Sequence, residues 1–365
     1  MKRGKDMGDL LLVLGWGGAA AALLLWSPSV GEGVRQGLAV CASVMIPSLF
    51  PFLILSDFLG RTRVGELLER PLGGLMAFLY RCPRELTPAI LMSWVGGYPA
   101  GARVLAGMAE RGTLSHEDAG LALTFCVNSG PAFLAVVVGA GVFGSPGWGL
   151  FLFGCQLLAG AAAGRLLCRR RTMRLRPGKG RSACLPPVTG FVQAVSSATS
   201  GMLSICAFVL VFSALSQLLA RWGLLELWGT GVSALTGGVL TPAGAVCLGT
   251  GLLEISGGCA LAQALPPGQG ALVLPFLLSF SSFSVMGQLS ACFGSHPPAL
   301  GLLLRARLLH GVLTALLATP VLWARFAAAP AMTGRPVLAP GSGALLGALC
   351  LMAMITILVS AVEGE

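Results

Sequence analysis

Long apolar runs recur along the whole chain, separated by short polar joints. A bilayer core takes a helix of roughly 20 apolar residues. Leu10–Trp26, Val34–Leu59, Gly147–Leu167, Ser200–Arg221, Gly301–Val321 and Gly343–Val359 each predict such a helix. The first run reads as a retained anchor rather than a signal peptide, because its WSPS exit lacks a clean A-x-A site. Pro47 and Pro51 predict a kink near the end of the second. Arg61–Arg81 differs. Its Arg and Glu residues alternate with Val64, Leu67, Leu68, Leu72, Leu75 and Phe78, which predicts an amphipathic helix lying in the interface. An ordinary short span is the alternative.

Two apolar segments cannot be continuous helices. Ile90–Met108 contains Gly96, Gly97, Pro99 and Gly101. Pro removes a backbone donor, and Gly in a helix interior costs about 1 kcal/mol. Sliding the sequence by 161 brings Gly96–Gly97 onto Gly257–Gly258 and Ser93 onto Glu254, within Leu248–Ala262. Both segments predict helical hairpins that enter and leave on one side. Two more helices carry breaks: one opens at Ser115 and is interrupted at Asn128–Pro131, and Pro275–Phe293 is interrupted at Ser281–Ser282. Irregular backbone survives at membrane depth only where protein or a water-filled cavity surrounds it, so paired breaks point to a transporter's binding site.

The pairing implies a repeat. Residues 1–33 read as an anchor helix, 34–168 as a first repeat, 169–189 as a basic cytoplasmic linker, 190–326 as a second repeat, and 327–365 as a final membrane helix. Each repeat has three crossings plus a hairpin. An odd number of crossings inverts the second repeat relative to the first. The predicted fold is an all-α polytopic membrane bundle with two re-entrant hairpins, two broken helices and an inverted repeat.

Composition agrees. Of 365 residues, 55% are hydrophobic and only 10% charged, against roughly 25% in soluble domains. The net charge is +10, and between Ala119 and Val362 only Glu226 and Glu254 are acidic. The basic excess sits in loops. Arg165–Arg181 alone holds seven Arg and one Lys. This is read as cytoplasmic topology and lipid contact, not nucleic-acid binding. The eleven Cys include no C-x-x-C and the three His are not clustered. No metal site, disulfide framework or catalytic constellation is expected, and the chain is not expected to be an enzyme.

Polar groups at membrane depth are the candidates. Gly96, Gly97, Tyr98, Arg103, Asn128, Ser129, Glu254, Ser256, Ser281 and Ser282 form the expected substrate site. Unwound turns expose backbone N–H and C=O groups, and helix N-termini add partial positive charge. Arg103 would supply positive charge for an anionic solute, and Glu254 would bind a polar edge or a coupling cation. Alternatively each holds a hairpin in place, by pairing with a neighbour or with the other. Asn128 and the serines also read as helix–helix glue. Arg305 and Arg307, near a span start, are expected to snorkel. His310 reads as a packed His. No cofactor is expected. A coupling Na+ or H+, a homo-oligomer and spore-membrane partners stay open.

With these motifs in hand, SLFPF at Ser48–Phe52, VGGYPAGA at Val95–Ala102 and NSGP at Asn128–Pro131 resemble the YlbJ-type sporulation integral membrane proteins of the nucleoside-recognition, or Gate, domain family. LLEISGG at Leu252–Gly258 and SFSSFSVMGQ at Ser279–Gln288 look similar to the corresponding segments of concentrative nucleoside transporters. The first hairpin departs from those, with GGYPAGA where they carry Gln, Thr and Glu. The resemblance implies a transporter in the outer forespore membrane of a spore-forming bacterium, moving dipicolinate, a small aromatic dianion. Tyr98 or Trp94 would stack on its ring. A nucleoside-type transporter and a non-transporting scaffold for spore assembly are the other readings.

Overall fold

The computed structural model describes residues 13, 17–18, 20–62, 64–168, 173, 175 and 185–330. The start of Leu10–Trp26, most of Arg165–Arg181 and all of Gly343–Val359 lie outside them. The described residues are mostly helical, without a strand. Four spans are long and apolar enough to cross a membrane, with Pro267–Cys292 taken as one across its break, or five if a bent pair also counts as one.

The elements run in two matching series. The first is α1 (Ser27–Val40), a π-helical turn (Cys41–Met45), α2 (Ile46–Arg61), α3 (Val64–Tyr80), α4 (Thr87–Val95), α5 (Tyr98–Glu110), α6 (His116–Ala122), α7 (Pro131–Ala140) and α8 (Pro146–Leu167). The second is α9 (Pro187–Arg221), α10 (Leu224–Leu235), α11 (Pro242–Leu253), α12 (Ile255–Gln263), α13 (Pro267–Phe280), α14 (Phe283–Cys292) and α15 (Leu300–Phe326). Each series reads as arm, short helix, hairpin, broken helix, long helix. α1 runs unbroken across residues 33 and 34, and α9 already begins at Pro187. The arm bends by 60° between Met45 and Leu49. The π-turn and Pro47 sit at that bend, as they do at most sharp kinks.

The core divides in two. One apolar cluster joins Met45, Leu53, Phe58, Ala194, Met202 and Val209 of α1–α2 and α9 to Met92 and Ala100 of the first hairpin. The other gathers both hairpins, both broken helices, α8 and α15. In a membrane, helices associate through close packing and hydrogen bonds rather than hydrophobic drive, so small residues set the contacts. Gly33 and Gly37 of α1, four apart, let α9 approach closely: a Cβ on Gly33 would lie 2.6 Å from the Ala214 Cα.

Both hairpins close the same way. A Cβ on Gly101 would meet Ser93 Cβ at 2.7 Å and Ala89 O at 3.0 Å, which places α5 back along α4. A Cβ on Gly258 would meet Gly251 Cα at 2.5 Å, and Cys247 Sγ reaches Gly258 O at 3.1 Å, so α12 returns along α11. The tips differ. The first turns through Gly96 and Gly97, and Gly97 has φ 78° and ψ −168°, a conformation only glycine adopts freely. The second turns on Glu254 alone, whose carboxylate accepts from Gly257 N at 2.7 Å and caps α12. The tip of the second hairpin is therefore Glu254, opposite Gly96–Gly97, and not Gly257–Gly258 as the 161-residue slide implied. A self-capping side chain replaces the glycine turn.

The breaks also differ in length. Ser282 Oγ accepts from Val285 N at 3.2 Å, so α14 restarts directly after the two-residue break. The first helix stops at Ala122, six residues before Asn128, and stays unwound to Gly130. Its start is as expected: Ser115 Oγ accepts from Asp118 N at 3.0 Å.

Overpacking a tight helix contact costs about 1–3 kcal/mol. Gly258→Ala is expected to lower the thermal midpoint of the detergent-purified protein. Gly154→Ala, where a Cβ meets nothing within 4 Å, is expected to leave it unchanged or slightly raised. Equal midpoints for both variants would show that the Gly251–Gly258 contact does not hold the hairpin closed.

Candidate functional site

The two hairpin tips and the two broken helices meet in one narrow cavity of about 20 Å³, room for a single water. Gly97 and Tyr98 line it from the first tip, Gly130 and Phe133 from the first break. Glu254, Ile255 and Ser256 line it from the second tip, and Val285 and Gln288 from α14. Met45 and Leu49 of the bent arm close it. Glu254 is 2% exposed, and no basic side chain forms an ion pair with it among the described residues. Gly257 N–H and the α12 N-terminus offset its charge.

Behind the cavity, polar groups stitch the halves together. Tyr98 Oη lies 2.5 Å from Ser129 Oγ and donates to Leu278 O at 2.6 Å. Gln156 of α8 donates through Nε2 to the same carbonyl at 3.0 Å, and its Oε1 accepts from Ser129 N at 3.2 Å. Asn128 Nδ2 donates to Ser93 Oγ at 3.0 Å, which ties the first break to the first hairpin.

The largest contribution comes from α15. Arg307 is fully buried. Its Nη1 donates to Val127 O at 2.8 Å and Ser279 O at 3.4 Å, and its Nη2 to Thr124 O at 2.6 Å and Leu123 O at 3.3 Å. One guanidinium thus satisfies the open carbonyls of the first break and reaches the end of α13. His310 lies one turn on. Its Nε2 is 2.8 Å from Gln156 O, which can only accept, so Nε2 carries the proton and Nδ1 accepts from Arg307 Nη1 at 3.1 Å. Arg307 therefore does not snorkel, because the unwound backbone beside it needs its donors. Arg305 is exposed, and His310 is packed.

Of the expected site residues, Gly97, Tyr98, Glu254 and Ser256 line the cavity. Gly96, Asn128, Ser129, Ser281 and Ser282 lie outside its lining, the last four fully or almost fully buried. Ser281 and Ser282 hold φ values of 87° and 115°, a region that strains side-chain-bearing residues by about 1–3 kcal/mol each. Arg103 sits elsewhere and pairs with Asp57 at 2.9 Å, not with Glu254. Trp94 does not line the cavity. Sequence reasoning passed over Asp57, Gln156 and Phe133, and named Gly130 only as part of the Asn128–Pro131 break. Asp57 stands alone near the end of an apolar run, and Gln156 sits alone in another with no break to mark it.

The chain is similar to the sporulation integral membrane protein YlbJ of Bacillus subtilis (strain 168), with 29% identity over 315 residues, covering 78% of this chain and 75% of that protein. This supports the YlbJ-type resemblance carried by SLFPF, VGGYPAGA and NSGP. No protein-family model matches the chain, and no solved structure matches it. The nucleoside-recognition part of the resemblance rests on the motifs alone. With its apolar helices and this relative, the chain is a multi-pass α-helical membrane protein.

A buried acceptor left without a donor costs about 1–3 kcal/mol. Arg307→Met strands several at once, and is expected to abolish monodisperse protein after extraction. Arg305→Met is expected to leave yield and midpoint intact. Ser281→Gly relieves the positive φ and is expected to hold or raise the midpoint, whereas Ser281→Val is expected to lower it. A well-folded Arg307→Met protein would show that water can replace the guanidinium.

Proposed function

We propose that this chain is a sporulation membrane transporter that carries a small organic anion of the dipicolinate class across the outer forespore membrane. The observation that carries the reading is a cavity lined by both hairpin tips and both broken helices. That is the arrangement a carrier uses to expose one site alternately to either side. The repeated element order supports it, as does a crossed packing in which α14 lies on the first hairpin and α12 on the helix after the first break. The sporulation role comes from the similarity to YlbJ, and the anionic solute from the motif resemblance and from Arg103 in the adjoining cavity.

One observation favours a second reading, a non-transporting scaffold for spore assembly. The cavity holds no more than a water, and the groups behind it are tied by Arg307 and Tyr98. In the transport reading this is an occluded state.

Uptake into proteoliposomes separates the two. Saturable dipicolinate uptake, undiminished by excess uridine, is expected of the transporter. No substrate-dependent flux would leave the scaffold, and uridine uptake without dipicolinate uptake would leave a nucleoside carrier. Glu254→Gln keeps a capping oxygen for Gly257 N and is expected to fold normally while slowing flux. Unchanged flux would leave Glu254 a capping role only. A cysteine placed in the Arg165–Arg181 segment, after removal of Cys168 and Cys184, is expected to be labelled only from the cytoplasm. Labelling from outside would reverse the orientation.

A further inference from the structure

A wider, polar cavity of about 370 Å³ adjoins the narrow one. Both are lined by Pro99 and Gln288, which form the wall between them. It lies where α2, α5 and α14 end, among Arg61, Glu110 and Cys292. Leu185, just past the basic segment, donates its N–H to Arg61 O at 3.1 Å, so this cavity opens on the basic-segment side. Its charged groups balance: Arg61 and Arg103 against Asp57 and Glu110.

Arg103 is held unevenly. Its Nη2 makes three hydrogen bonds, to Asp57 Oδ2 at 2.9 Å, Ser197 O at 2.8 Å and Ser197 Oγ at 2.6 Å. The other two guanidinium nitrogens make none among the described residues. The group rests on Gly201, where a Cβ would come within 1.5 Å of Nη1. The side chains of Arg103 and Asp57 remain 15% and 10% exposed. A guanidinium takes a carboxylate bidentately through an edge that includes Nη2, the nitrogen Asp57 and Ser197 hold here. Because the charges already balance, an arriving carboxylate must displace a resident one.

We propose that this cavity is an access site for a small carboxylate solute, whose carboxylate competes with Asp57 for Arg103. The proposal rests on the reading that a small organic anion is carried. Arg103 belongs to the first hairpin, and Asp57 and Ser197 belong to the arms α2 and α9. Displacing Asp57 therefore loosens the hairpin from the arms next to the Pro99–Gln288 wall, where the solute must pass.

Competition fixes opposite signs for the two partners. In the full chain in nanodiscs, dipicolinate binding by calorimetry is expected to tighten about tenfold in Asp57→Asn and to weaken about tenfold in Arg103→Lys. Ser204→Phe narrows the cavity one turn along α9 from Gly201 and is expected to weaken binding likewise. Thermal midpoints establish that each variant is folded. If Arg103→Lys fails to fold, Asp57→Asn and Ser204→Phe decide. Folded Asp57→Asn that binds no more tightly than wild type overturns the proposal, as does wild type that binds no dipicolinate. Flux with wild-type binding in all variants overturns the access site and leaves the transport reading standing. The predicted shifts without flux do the reverse.

Discussion

A backbone carbonyl inside a bilayer must find a donor within the protein, and in this fold that constraint falls on Arg307. The unwound stretch from Leu123 to Gly130 leaves the carbonyls of Leu123, Thr124 and Val127 open. In water they would be solvated at little cost. At membrane depth each would cost several kcal/mol. The guanidinium supplies donors to all three and to Ser279 O, so one side chain on α15 licenses irregular backbone in the first half and grips the second. Its charge is tolerated because the carbonyl ends of short helices are themselves partially negative. His310, held as the Nε2–H tautomer by Gln156 O, presents a lone pair to Arg307 instead of a competing charge.

With those carbonyls satisfied, the tips can meet. Gly97 packs against Gly130, where a Cβ on Gly97 would lie in ordinary contact, 3.4 Å from Gly130 N. Opposite it, Glu254 supplies both turn and cap. The centre thus has two kinds of polar group. Those behind the cavity bond chiefly to one another and fix the geometry, while Asn128 Oδ1 and Arg307 Nε find no partner among the described residues. Those lining it, chiefly Glu254 and Gln288, face a space that holds a single water. Arg103 belongs to neither kind, because it works at the seam between the hairpins and the arms.

Much of this was legible in the chain. Helices with long apolar runs were visible because lipid demands them, and the hairpins and breaks were visible because Gly, Pro and Asn–Ser strings are poor company in a buried helix. The order of elements followed from repetition. What escaped depends on tertiary contact. Ala122–Asn128 carries no helix breaker, since the break is imposed by a guanidinium nearly two hundred residues away. Arg307 looked like a snorkelling residue because it follows Arg305 near a span start, and only the fold shows that α15 turns it inward. Glu254 was recognised as significant, but its place at the tip was missed because glycines were taken as the mark of a turn.

The serines at the second break bear on how the centre can move. Ser281 and Ser282 occupy backbone regions that glycine would hold more cheaply, and neither hydroxyl faces the cavity. Ser282 recovers part of the cost by capping α14. Ser281 makes only a long contact to Ser279 O at 3.5 Å. The surrounding packing, including Ser279 to Thr314 at 2.7 Å, must therefore hold the strain in place. Strain of about 1–3 kcal/mol per residue is comparable to the free-energy gap of a two-state element. In the transport reading, a break held tense in this arrangement would lower the work of leaving it. The long first break, by contrast, holds no positive φ, and Arg307 satisfies the carbonyls of Leu123, Thr124 and Val127. The two halves share an order of elements but divide the labour: the first break anchors, and the second stores the strain.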